Sequence, residues 1–177
     1  MLTKTNIIGL SHINVIVNDI AEATDFYSRT LGFGLAIDKE GNIMDYPHFQ
    51  LETFARDAGI LDGKVDVDIR FLRHPKVGIY LEIMKYNYPV GERAFTVKRT
   101  YDMGGVRHIA LEVVEIEQLF EHIKRQEGAN LINPSEKYGP PEMLTPVPVK
   151  FFYWIDKYGV QWEFEQGRPV GDMRGIV

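Results

Sequence analysis

The sequence predicts an α+β fold in which a strand, a helix and several further strands are given twice, and three observations carry that expectation. The segment Gly9-Leu-Ser-His12-Ile-Asn-Val-Ile-Val17-Asn-Asp-Ile20 aligns without a gap on Gly105-Val-Arg-His108-Ile-Ala-Leu-Glu-Val113-Val-Glu-Ile116, at a constant offset of 96. Further along, Gly78-Ile-Tyr-Leu-Glu82 aligns on Gly159-Val-Gln-Trp-Glu163 at an offset of 81. Finally, each copy switches from an alternating apolar pattern to a helical one just after its His. Antiparallel strands with a helix segregated to one face make an α+β arrangement.

In the first half, Ile13, Val15 and Val17 alternate with His12, Asn14 and Ile16, and β-branched content favours a strand. Successive strand side chains point to opposite faces, so the strictly apolar row and the His row face opposite ways. Asp19 is placed to cap a helix over Ile20–Leu31, where Ala23, Phe26, Tyr27 and Leu31 fall at helical spacing and Gly32 is the stop. Strands are expected around Phe33–Ile37, Asp66–Leu72 and Ile79–Lys85. The polar stretch from Asp38 to Lys64 reads as a long loop, and Pro89–Gly91 closes the half.

The second half repeats the scheme. Ile109, Leu111 and Val113 alternate with His108, Ala110 and Glu112, and Ile116, Leu119, Phe120 and Ile123 give a helix ending at Gly128. Strands are expected over Val149–Ile155 and Val160–Glu165, with the proline-bearing segment Asn133–Pro148 as loop or edge. Phe151, Phe152, Tyr153 and Trp154 read as core rather than as a stacking platform. If each half buries one sheet face under its helix, the His-bearing face needs another cover. The equivalent face of the other half is the economical answer, and it would bring the two His rows towards each other.

Composition narrows the function. At 177 residues the chain fits one domain, spanning 1–177, with repeat halves at about 8–90 and 104–167. Twenty Lys and Arg against 25 Asp and Glu give a net charge of −5, which argues against a nucleic-acid partner because phosphate contacts need a basic surface. The absence of cysteine excludes disulfides, thiolate metal sites and Cys nucleophiles. The apolar run Ile7–Val17, interrupted by His12 and Asn14, falls far short of the ~20 residues of a membrane span, so no membrane partner is expected and a cytoplasmic location is.

The repeat gives each half a His near its start and a Glu near its end. The set His12, Glu82, His108 and Glu163 offers nitrogen and carboxylate donors suited to Zn²⁺, Ni²⁺, Fe²⁺, Co²⁺ or Mn²⁺. Taken singly, a strand His is more often structural and a strand-end Glu solvated. Recurrence in register within apolar strands favours metal binding, because a charged side chain in a closing cleft is costly unless paired or coordinated. Glu165, two residues on from Glu163, is a rival ligand, and Glu112 shares the face of His108. His48, His74 and His122 lie outside the repeat and read as surface or structural residues, His74 in a turn before Pro75. Asn14, Tyr80, Met84 and Gln161 flank the four candidates and are placed either to line a pocket or to pack.

These motifs, together with Phe26-Tyr27…Leu31-Gly32-Phe33, Leu81-Glu82-Ile83 and Asp156-Lys-Tyr-Gly159-Val-Gln-Trp-Glu163-Phe, resemble the vicinal oxygen chelate superfamily from about Gly9 to Gln166. That superfamily includes glyoxalase I, methylmalonyl-CoA epimerase, extradiol dioxygenases, fosfomycin-resistance transferases and bleomycin-binding proteins. Lys157 departs from the family's usual proline at that turn. The resemblance implies two tandem βαβββ modules pairing into a curved mixed sheet around a metal-binding cleft, with a divalent ion held by His12, Glu82, His108 and Glu163. It also implies a small-molecule substrate with adjacent oxygen atoms, and a homodimer is expected. Fold does not choose among the superfamily's chemistries. The four-ligand pattern resembles glyoxalase I and the epimerases, which implies a metal-dependent lyase or isomerase that polarises a carbonyl and passes through an enediolate. Glu163 would then be the general base, with Glu82 the other acidic residue of the reaction. The alternatives are an Fe(II) extradiol-type dioxygenase, in which Glu82 is a bystander, and a metal-free drug-binding protein.

Overall fold

Both repeated His residues stand one position before a short strand, and each strand pairs in parallel with the last strand of its own half. A computed structural model describes residues 10–92, 105–133, 135–143 and 149–167, and the chain divides into two units, residues 1–94 and 95–177. Gly9, the residues joining the halves and the prolines at 146 and 148 lie outside the described residues.

The first unit runs β1 (Ile13–Ile16), α1 (Ile20–Leu31), β2 (Gly34–Leu35), β3 (Asp45–Phe49), α2 (Glu52–Asp57), β4 (Asp66–Arg73) and β5 (Tyr80–Tyr88). Its sheet has the order β1-β5-β4-β2, with β3 also on β4; β1 and β5 are parallel and the other pairs antiparallel. The second unit runs β6 (Ile109–Glu112), α3 (Ile116–Lys124), β7 (Ala129–Leu131), β8 (Lys150–Asp156) and β9 (Gln161–Gln166), ordered β6-β9-β8-β7 with β6 and β9 parallel. The second unit is therefore the expected βαβββ module. The first is the same module with β3 and α2 inserted.

α1 forms where expected and for the expected reasons. Asp19, in an extended conformation, accepts a hydrogen bond from the Glu22 N–H at 2.8 Å, and Gly32 closes the helix at φ 74°, a left-handed angle that only glycine adopts without strain. Its buried row, Ala23, Phe26, Tyr27 and Leu31, packs on β4 and β5 on the sheet face that carries Val15, Leu72, Leu81 and Ile83. In the second unit Ile116, Phe120 and Ile123 of α3 are buried with Phe152, Trp154, Trp162 and Phe164, and the two indoles stack 6.0 Å apart. Alternation in β8 splits its aromatic run: Phe152 and Trp154 belong to this core, while Phe151 and Tyr153 point to the opposite face.

The structure differs from expectation at three places. The stretch Asp38–Lys64 is not one loop, because it forms β3 and α2, and Ala55 of α2 caps Val65, Val67, Ile69 and Met84 in a second small core. Pro47 and a register shift between Tyr46 and Phe49 break the alternation that would have marked β3 as a strand. Three-residue β7 was not foreseen, and Gly128 lies in the turn before it rather than at the helix end. Of the two roles open to Met84, lining a pocket or packing, it takes the second.

Two side chains of the turns lend themselves to measurement. Asp156, 1% exposed, accepts hydrogen bonds from the backbone N–H of Tyr158 and Val160 and from the Trp162 indole, tying the β8–β9 turn that Lys157 occupies. Removing that carboxylate leaves three donors without their acceptor, so Asp156→Ala should lower stability by about 2–4 kcal/mol in urea unfolding. His74 sits in the β4–β5 turn, where its Nδ1 accepts from the N–H groups of Lys76 and Val77, and its ring meets Phe33 edge-on. Burial, against the raising effect of a ring hydrogen bond to the Leu31 carbonyl, holds its pKa below the ordinary value of 6.5. The unfolded chain thus binds the proton more readily, so the contribution of His74 is complete above about pH 6.5 and declines as pH falls below it. Thermal unfolding between pH 7.5 and 5 should show a shallower pH dependence for His74→Asn than for the parent chain.

Candidate functional site

The parallel pairing in each half sets where its His and Glu fall. Asn14 is registered opposite Glu82 and Ala110 opposite Glu163, so each His, two positions earlier on the same face, stands beside the Glu of the partner strand. His12 Nε2 lies 3.3 Å from Glu82 Oε2, and His108 Nε2 lies 3.0 Å from Glu163 Oε2. All four expected residues are therefore brought into His–Glu pairs, one pair within each unit.

Each imidazole is backed by an aromatic ring from the neighbouring antiparallel strand. Phe71, opposite Glu82, meets His12 at 5.9 Å, and Tyr153, opposite Glu163, meets His108 at 5.3 Å. The Oγ of Ser11 is 3.0 Å from His12 Nδ1 and so helps to set the orientation of the ring. The halves differ in how the carboxylate is held. Asn14 Nδ2 donates to Glu82 Oε2 at 3.0 Å, whereas Ala110, which has no donor, occupies the matching position beside Glu163. Glu163 is only 5% exposed. Its rival Glu165 is also buried but registers opposite Glu112, one full alternation farther from His108.

The donor set fits a divalent cation. Bonds of about 2.1 Å put adjacent ligand atoms about 3.0 Å apart in octahedral and about 3.4 Å apart in tetrahedral geometry, the range in which both pairs fall. Imidazole nitrogen with carboxylate oxygen suits Zn²⁺, Mn²⁺, Fe²⁺, Co²⁺ and Ni²⁺ alike.

The face of the first unit that carries His12 and Glu82 continues towards Ile16 and Tyr86 and ends in a cavity of about 370 Å³. Ile16, Ile60, Tyr86, Pro89 and Val90 give it apolar walls, and Asn18 and Glu92 add polar groups. Ile60, just after α2, comes from the insertion absent in the second half, so that insertion does contribute to a pocket. Burial first, and the Glu82 charge second, push the Tyr86 hydroxyl above its usual pKa, so the cavity senses the carboxylate. Tyr80, also on this face, has the Arg73 guanidinium over its ring at 5.9 Å.

His48, expected to be surface or structural, joins a third group. Its Nδ1 lies 3.1 Å from Asp66 Oδ1 and its backbone N–H donates to Asp68 at 2.9 Å, so that His48, Asp66 and Asp68 gather ligand-type atoms within 4.8 Å. Pairing of β3 with β4 assembles this group, and no sequence spacing announces it. Asp66 also accepts from Asn87 and Gln50, and Lys85 lies 3.5 Å from Asp68. The Asn87 hydrogen bond above all keeps Asp66 below the usual carboxylate range. Such a set of satisfied partners pins β3 to the sheet. His122 lies on α3, with Gln126 Nε2 3.5 Å from its Nδ1.

Each copy of the duplicated βαβββ arrangement thus carries one imidazole–carboxylate pair, the frame of a superfamily of small-molecule proteins. The chain belongs to the Glyoxalase/Bleomycin resistance protein/Dioxygenase superfamily, whose family model matches residues 9–164. Among curated proteins it is similar to a 2-epi-5-epi-valiolone epimerase of an Actinomyces species, 26% identical over 88% of this chain and 78% of that protein. Among solved structures it resembles a glyoxalase family protein of Bacillus cereus at a TM-score of 0.65 and 16% identity, covering 95% of this chain and 99% of that one. It also resembles the fosfomycin resistance protein FosX of Listeria monocytogenes, solved with Mn(II) and sulfate, at a TM-score of 0.51 and 20% identity over 91% and 93% of the two chains. No helix among the described residues is long and apolar enough to cross a membrane.

Proposed function

We propose that this chain is a divalent-metal-dependent isomerase or lyase that moves a proton at a carbon next to a carbonyl, with His12, Glu82, His108 and Glu163 as metal ligands. The observation that carries the reading is the imidazole–carboxylate pair built at ligand spacing in each half. The named activity of the Actinomyces relative favours epimerisation within that class, and the Mn(II) in FosX supports a divalent ion. When bound, such an ion polarises the substrate carbonyl and lowers the pKa of the adjacent C–H.

Glu163 is the general base in this reading. Its carboxylate takes the C–H proton, and the electron pair of the broken bond moves towards the carbonyl oxygen. Glu163 gives up its proton to water and protonation of the opposite face of the same carbon from solvent gives the epimer, whereas return of the proton from Glu163 to the neighbouring carbon gives the isomer. Glu82 is the fixed carboxylate, because Asn14 holds its Oε2. The cavity bounded by Ile16, Ile60 and Tyr86 lies on the face that carries His12 and Glu82 and suits an apolar group. We take the working species to be a homodimer, a state that analytical ultracentrifugation reads directly.

Solvent-deuterium incorporation, followed by NMR in D₂O, tests the reaction on a panel of 2-oxoaldehyde–thiol adducts, acyl-CoA epimers and 2-epi-5-epi-valiolone. Glu163→Gln should slow exchange by about 10²–10⁴-fold, the usual worth of a general base. Glu82→Gln should weaken metal binding at least about tenfold, measured by metal content after dialysis. Oxygen consumption with catechols by iron-loaded protein would replace this reading with a ring-cleaving dioxygenase. Absence of stoichiometric metal under every loading condition would replace it with a binding protein.

A further inference from the structure

The second half buries a hydrogen-bond donor beside its His–Glu pair. Gln161 is 5% exposed, and its Nε2 has no hydrogen-bond partner among the described residues. Buried amide groups are nearly always paired, since an unmet N–H bears the full cost of its lost hydration. The parallel register places Ile109 opposite Trp162, so one step earlier His108 falls opposite Gln161. Gln161 and Glu163, two residues apart on β9, share one face, and Tyr153, opposite Glu163, has its ring against His108. The unmet N–H therefore belongs to the face on which His108 and Glu163 offer their ligand atoms.

The first half has no amide at the equivalent position. The residue matching Gln161 there is Tyr80, whose ring carries the Arg73 guanidinium, and the one matching Tyr153 is Phe71, which lacks a hydroxyl. The departure from the repeat is thus confined to one half, and it replaces aromatic packing with an amide that its own fold leaves unsatisfied.

We propose that Gln161 is a substrate-binding residue whose amide N–H donates a hydrogen bond to one oxygen of a ligand held at His108 and Glu163. The assignment rests on the metal-site reading given above. The ligand class is a small molecule with two adjacent oxygens, an α-hydroxy or α-oxo carbonyl compound, of which one oxygen faces the ion and its neighbour accepts from Gln161. An oxygen at that neighbouring position gains a bond, while a C–H there would leave the amide buried and unmet, so Gln161 selects against analogues that lack the second oxygen.

Acetohydroxamate, which carries two adjacent oxygens, serves as the probe, and Zn(II)-loaded protein as the target. Calorimetry should show Gln161→Leu binding acetohydroxamate about tenfold more weakly than the parent chain, with Zn(II) affinity within about twofold of it. In the parent chain, the ¹⁵N–¹H side-chain amide pair that vanishes in Gln161→Glu should shift when acetohydroxamate is added to the Zn(II) form, a readout that needs no stable Leu variant. Equal acetohydroxamate affinity in the parent and Gln161→Leu, or an unmoved amide pair in a complex that does form, overturns the Gln161 assignment and leaves the metal site standing. Failure of the parent chain to bind Zn(II) or any other divalent ion overturns both.

Discussion

Each half depends on the parallel pairing of its first and last strands. β1 and β5, like β6 and β9, are far apart in sequence, and the intervening helix and antiparallel strands exist largely to bring them side by side. The pairing carries on one residue past each named strand in the same way, Val17 N–H to Met84 O and Val113 N–H to Glu165 O, both at 2.8 Å. Register is what matters chemically. A slip of one residue would turn each Glu to the helix side of its sheet and dissolve the His–Glu contact. The large apolar row that fills the core beneath the helix, Leu81 and Ile83 in one half and Trp162 and Phe164 in the other, therefore also fixes the carboxylates between those residues.

Duplication explains why this much was legible in the sequence. A single His before a strand says little, but His12 and His108 recur with their flanking alternation intact, and Glu82 and Glu163 recur within matched apolar runs. Local rules were equally readable where one residue decides the outcome, as with Asp19 and Gly32 at the two ends of α1. What escaped the sequence depends on contacts between distant segments. β3 owes its place to Asp66 and Asp68, which capture His48 from eighteen and twenty residues away, and its own residues alternate poorly. α2 is a six-residue helix with no side-chain cap, held by the small core around Ala55 rather than by its own propensity. The unmet amide of Gln161 is likewise a property of packing, since a Gln in a strand is unremarkable until every neighbour has been placed.

The insertion also makes the halves unequal in what covers them. In the second unit the polar row of β9 alternates Gln161, Glu163 and Glu165, whereas the matching row of β5 passes from Glu82 to Met84 and Tyr86. Two carboxylates and an amide give way to one carboxylate followed by apolar groups that α2 and its flanks partly cover. The first half thus offers a short polar site merging into apolar walls, and the second offers a longer polar strip.

The same inequality extends to how the two carboxylates are held. A group that accepts a proton in one step and returns it in the next must change its hydrogen-bonding partners during turnover, and every fixed donor on it resists that change. Glu82 carries such a donor in Asn14, at 3.0 Å and reinforced by a second contact from the same amide to the Glu82 carbonyl at 3.3 Å. Exchanging Asn14 for Ala110 in the second copy removes the amide and shortens the side chain at the one position registered opposite Glu163. Two copies of one module, alike in fold, thus surround their carboxylates differently through a single neighbouring residue.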